Sequence, residues 1–264
     1  MAQVSLVSQA NPRQAEPVVR AIGFSDLQVA LSKGYQDFLA MPTQLIFLAA
    51  IYPIVGFVAA GAASGAALLP LLYPLVAGLS LMGPIAALGI YELSRRREQE
   101  LPTSWLNAFD VLRSPAIGSI AVLGVIMSVI FVAWLFAAQA VYRATIGDQL
   151  PDSFFGLVGQ ALTTRAGWRL IVWGNVVGFF FALLILALTV VSFPLLLDRN
   201  VGLRVAVRPS VRGVLRNPMP MAAWGVIVAV LLALGCLPFF VGLAVVMPLL
   251  GHATWHLYRR VVES

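Results

Sequence analysis

Uninterrupted apolar stretches of about 17 to 25 residues, joined by short charged links, set the terms for this chain. An α-helix needs about that length to cross roughly 30 Å of hydrocarbon. Composition agrees, because 60% of the residues are apolar and only 11% are charged, against roughly 25% charged in a soluble domain. The predicted fold class is therefore all-α: a polytopic membrane protein with about six transmembrane helices.

The predicted spans are Thr43 to Gly61, Ala66 to Tyr91, Ala116 to Ala140, Arg169 to Leu197, Met221 to Gly235 and Leu237 to Leu257. The fifth reads as about 15 residues before the Gly235-Cys236-Leu237-Pro238 turn, shorter than a perpendicular span requires, so a tight or re-entrant hairpin is the alternative. Residues 1–20 are polar and without period, which predicts a disordered tail ahead of a single transmembrane domain over 21–264. Their opening lacks the basic start and long apolar core of a cleavable leader, so insertion is expected to rely on the first span.

The net charge of +6 comes from 17 basic residues scattered through the links, so it points to membrane orientation and away from nucleic acid. On the side of the N-terminus lie Arg13, Arg20, Lys33, Arg95, Arg96, Arg97, Arg113, Arg199, Arg204, Arg208, Arg212, Arg216, Arg259 and Arg260; on the other lie Arg143, Arg165 and Arg169. Fourteen against three predicts that both termini are cytoplasmic.

Three prolines, Pro42, Pro115 and Pro218, each follow an amphipathic stretch and precede a span, and the second span of each pair carries its own proline at Pro84, Pro194 and Pro248. This predicts three repeats of interfacial helix plus helix pair, although prolines and amphipathic connectors are common at membrane boundaries in any case. In the first unit a capping box from Ser25 to Gln28 predicts a helix from Asp26. Leu27, Ala30, Leu31, Tyr35 and Phe38 form its apolar face, and it is expected to lie flat at the interface with Asp37 elsewhere.

Chemistry-bearing residues are few. No pair of carboxylates falls at mid-span, which disfavours a proton-coupled transporter. Glu92 is expected to pair with Arg95 or Arg96 at helical spacing; Asn175, Gln139 and Ser128 serve either a polar path or helix packing. His252 and His256, one helical turn apart, are the only candidate metal ligands, but no carboxylate or cysteine adjoins them in sequence. Headgroups and water are expected to satisfy their rings. Arg204, Arg208, Arg212 and Arg216 recur every four residues, shadowed by Leu203, Val207, Val211 and Leu215. With Pro209 starting or interrupting that helix, the ladder is expected to contact anionic lipid headgroups. Outside, Asp152 to Val158 reads as a capped amphipathic turn. Cys236, the lone cysteine, excludes an intrachain disulfide.

At Gly251-His252-Ala253-Thr254-Trp255-His256-Leu257-Tyr258-Arg259 and Leu88-Gly89-Ile90-Tyr91-Glu92-Leu93-Ser94-Arg95-Arg96-Arg97-Glu98 the chain resembles a bacterial integral membrane family catalogued as domain of unknown function 2189, over about residues 20–262. The resemblance implies a bacterial inner (plasma) membrane protein and brings no catalytic residue. Relatives sometimes carry the label of a cytochrome oxidase subunit I, whose haems and copper need more histidines than the two present. The expected function is non-enzymatic and without cofactor: a scaffold or assembly partner of another membrane protein, or a small-solute permease. The alternative is a metal- or haem-binding component using His252 and His256.

Overall fold

A computed structural model describes residues 17–41, 66–148, 150–238 and 240–263; the expected first span, 43–61, lies outside them. Among the described residues the structure is helical, with one isolated antiparallel bridge, Val19 to Val262. The helices are α1 (Phe24–Ala40), α2 (Leu72–Leu81), α3 (Gly83–Ala86), α4 (Leu88–Glu98), α5 (Ile117–Thr145), α6 (Phe154–Thr163), α7 (Arg165–Thr189), α8 (Ser192–Arg199), α9 (Leu203–Arg216), α10 (Pro218–Cys236) and α11 (Leu243–Val261). Short 3-10 helices occupy Ala66–Leu71 and Trp105–Arg113.

Among the described residues three helical runs are long and apolar enough to cross a membrane: Ile117–Thr145, Arg165–Arg199 and Pro218–Cys236. Only 22%, 33% and 22% of their most apolar windows is buried within the protein, so most of this surface faces outward, as lipid contact requires. The fifth expected span is corrected here. Prolines 218 and 220 fall in its first turn, where a missing N–H costs nothing, so the helix gains a turn and reaches 19 residues.

Proline also explains where the other spans break. Its ring clashes with the carbonyl four residues back; for Pro194 that residue is Val190, where α7 gives way to α8. Pro84 likewise stands second in α3, after the break at Met82. The second expected span is thus the sequence from Ala66 through α2, α3 and α4 rather than one rod. By contrast Pro248 and Pro209 lie inside α11 and α9, and both helices run through them.

The three amphipathic segments dock in a common way. The Trp105–Arg113 helix packs on α4, α9 packs on α7 and α8, and α1 packs along α11. Each therefore sits on the segment that follows or contains the second proline of the preceding unit, with the first unit closing onto the last. In two of these contacts small residues let the backbones meet: a Cβ at Gly89 would lie 2.9 Å from that of Ala108, and one at Gly34 only 2.5 Å from the Ala253 amide nitrogen. Gly89 and Ala253 both stand five residues after their unit's proline, Pro84 and Pro248.

α1 departs from expectation. It begins at Phe24, capped by Asp26, whose carboxylate accepts the Gly23 amide at 2.9 Å; the Ser25 to Gln28 box is not the one used. Leu27, Ala30, Gly34, Asp37 and Phe38 are buried against α11, while Tyr35 is exposed. The helix is a packed element, not a free surface one. Where residues 1–20 were expected to be an unstructured tail, the described part, 17–20, is held: Arg20 N–H donates to the Val261 carbonyl and Glu263 N–H to that of Val18. Residues 18–20 accordingly meet residues 261–263, and a shared core includes Tyr91, Leu123, Met127, Phe193, Trp224 and Trp255.

Candidate functional site: a polar clamp around the last helix

The close approach at Gly34 carries Asp37, one turn later, into the interior. Its Oδ2 accepts from the Ser94 hydroxyl at 2.7 Å and from His256 Nε2 at 2.8 Å; Oδ1 lies 3.2 Å from an Arg97 guanidinium nitrogen. Ser94 and His252 are wholly buried and Asp37 is 6% exposed. Burial works to raise the Asp37 pKa, but the hydrogen bonds from His256 and Ser94 and the neighbouring imidazoles outweigh it, holding the carboxyl below its ordinary value.

Proton placement follows from the same contacts. Ser94 gives its hydrogen to Asp37, so the serine oxygen, 2.7 Å from His252 Nδ1, accepts a proton carried there. That leaves His252 Nε2 as a buried acceptor, and no group among the described residues donates to it. Serine, histidine and aspartate are the residues of a nucleophilic triad, yet the order is wrong. Here the serine sits between acid and imidazole with its hydrogen committed to the acid, so no base stands ready to activate it.

The rest of the α11 motif is engaged in the same manner. Trp255 Nε1 donates to Glu98 at 3.0 Å, the Tyr258 hydroxyl to Asp198 at 2.6 Å, and Arg259 to both, at 3.0 and 3.2 Å. One face of α11 thereby ties α1, α4 and α8 together. Glu92 pairs with Arg95 at 2.8 Å as its spacing predicted, and Arg96 reaches Asp110 at 2.9 Å, fixing α4 to the Trp105–Arg113 helix. The expectation that headgroups and water satisfy the two histidines is overturned: a carboxylate and a hydroxyl from distant parts of the chain do so. Among the described residues no group of three or more His, Cys, Asp or Glu is placed to hold a metal ion.

The remaining candidate residues are dispersed. Arg204, Arg208 and Arg212 lie exposed along α9, whose buried face is Ala206, Pro209, Ser210, Gly213 and Val214. Arg216 turns back to donate to the Val19 carbonyl at 2.9 Å. Ser153 caps α6 by accepting the Gly156 amide at 3.0 Å. Ser128 donates to the Gly124 carbonyl of its own helix, and Gln139 Oε1 is buried without a donor among the described residues. Neither joins Asn175, which lines a cavity of about 1320 Å³ running from Phe109 and Leu112 at one end to Phe154 and Leu157 of α6 at the other.

Sequence reasoning missed Asp37, Ser94, Glu98 and Asp198 as partners of the histidine motif. The available signal was the 27-30-34-37 spacing in α1, where two small residues lie on one stripe with an acid.

Long apolar helices and a clamp of paired charges at one end define a helical integral membrane protein. Residues 71–198 match the family described as predicted integral membrane protein, domain of unknown function 2189. No curated protein and no solved structure matches it.

Proposed function

We propose that this is a non-enzymatic protein of a bacterial inner membrane, a scaffold or assembly partner with both termini in the cytoplasm and a basic face turned to anionic lipid. The observation that carries this reading is the fate of the 252–259 motif. His252, Trp255, His256, Tyr258 and Arg259 are all spent on holding helices together, so the most distinctive segment of the chain serves rigidity. A stiff end with Arg204 and Arg208 exposed beside it suits a platform on an anionic leaflet, where each such arginine is worth roughly 1 kcal/mol.

A small-solute permease is the second reading, favoured by the cavity, whose lining includes no charged side chain among the described residues. A metal or haem component using His252 and His256 fits less well, because the ring nitrogens that face their neighbours are already hydrogen-bonded.

The test is thermal unfolding of the full chain in nanodiscs of phosphatidylglycerol and of phosphatidylcholine. Anionic lipid is expected to raise the unfolding temperature in low salt, and Arg204→Gln/Arg208→Gln to remove most of that gain. Equal stability in both lipids would defeat the platform reading. Stoichiometric metal or haem in the purified protein would favour the third.

A further inference from the structure

At membrane depth the cavity carries one feature its apolar walls do not need. Asn175 lies six residues inside Arg169, about 9 Å along the α7 axis, and is exposed there. Among the described residues its Nδ2 donates once, to the Ile171 carbonyl at 2.8 Å, and its Oδ1 accepts only a long 3.3 Å contact from the hydroxyl of Tyr73, itself 65% exposed. One amide hydrogen and the phenol lone pairs are left over. Polar groups bare to hydrocarbon are costly, and a cavity with apolar walls and a few convergent polar groups is the usual form of a ligand site.

We infer that this cavity binds a long-chain lipid with a single uncharged hydrogen-bonding head, a hydroxyl or carbonyl, placed at Tyr73 and Asn175. Three observations select that ligand. The volume of about 1320 Å³ exceeds the usual range of roughly 300–1,000 Å³ for small-molecule sites. Its length runs from the polar pair near α6 down to Phe109 and Leu112, which suits an extended tail. Neither Lys, Arg nor His is among the described lining residues, so nothing offsets the charge of a phosphate head. The site lies apart from the clamp and does not depend on the scaffold reading.

Gly174 supplies a clean test. It lines the cavity, and no described residue lies within 4 Å of where its Cβ would stand, so the backbone there has room for a side chain and Gly174→Leu reduces the space. Full-length protein in phosphatidylcholine nanodiscs is irradiated with a diazirine-bearing long-chain alcohol, and labelled peptides are mapped. Wild type is expected to label at 134–142 and 232–247, saturably against unlabelled alcohol. Gly174→Leu, with its unfolding temperature unchanged, is expected to lose at least tenfold of that labelling, and Asn175→Ala to weaken competition about fivefold, the effect of one neutral hydrogen bond. Labelling that is unsaturable, or equal in wild type and Gly174→Leu, would overturn the site. So would equal labelling by a diazirine phosphatidic acid, or a photo-crosslinker at Leu232 that captures residues 43–61 of the chain itself.

Discussion

The two ends of the helical bundle manage polar groups in opposite ways. Around α11, Asp37, Glu92, Glu98, Asp198, Ser94 and the α11 motif pair with one another until, among the described residues, His252 Nε2 is left without a donor. Toward α6, Tyr73 and Asn175 share one long contact on the wall of a wide apolar space. Buried networks of the first kind rigidify a fold when nearly every member is satisfied. An under-satisfied pair of the second kind leaves room for something else to bind. The same chain therefore separates a stiff end from an adaptable one.

The largest expected effect lies at the point where α1 meets α11. Gly34→Leu forces a side chain against the Ala253 backbone; neither helix can move without breaking the clamp, so a loss of several kcal/mol is expected. Size-exclusion chromatography in detergent should show little folded protein. A well-folded Gly34→Leu would mean that the contact is looser than described.

Next comes Asp37→Ala, which strips the acceptor from Ser94 and His256 and leaves Arg97 with the Gln36 carbonyl but without its carboxylate. Removing one member of a buried charge network costs about 3–5 kcal/mol. Asp37 also predicts a pH dependence. Its folded pKa lies below the ordinary 3.8, so its contribution is complete above that value and fades as pH falls through the lower, folded one. Unfolding temperatures between pH 3 and 6 should fall on the acid side in wild type more than in Asp37→Ala. Parallel curves would contradict this.

The histidines should separate. His252→Ala opens a hole at a wholly buried position, about 2–4 kcal/mol, whereas His256, 11% exposed at its side chain, should cost about half as much. Metal content and visible absorption should be unchanged in both variants. The smallest effect is expected for Arg204→Gln, within about 0.5 kcal/mol in neutral lipid because the site is exposed.

What could be read in the sequence followed from local rules. The helical membrane class, the Glu92 pair one turn apart and the cap ahead of α6 all depend on residues near each other in the chain. The breaks before Pro84 and Pro194 were foreshadowed by proline itself, although not the helix that passes through Pro248. The clamp was not legible, because Asp37 and His256 are 219 residues apart and periodicity placed Asp37 on the polar side of α1. Only the small residues Ala30 and Gly34 hinted that this helix has a second packing face. The length of the fifth span was misjudged because three residues around two prolines were assigned to the preceding loop, although proline is at home in a first turn.

The central claim is that the α11 motif exists to fasten α1, and the pair Asp37 and His256 is where the two helices join most directly. A double-mutant cycle with Asp37→Ala, His256→Ala and the double variant, read as unfolding free energy of the full chain in nanodiscs, isolates that contact. The account predicts a coupling energy of about 1.5–3 kcal/mol, as for a buried hydrogen bond to a charged group. Additivity within about 0.5 kcal/mol would show that the two residues do not hold the helices together, and would contradict it.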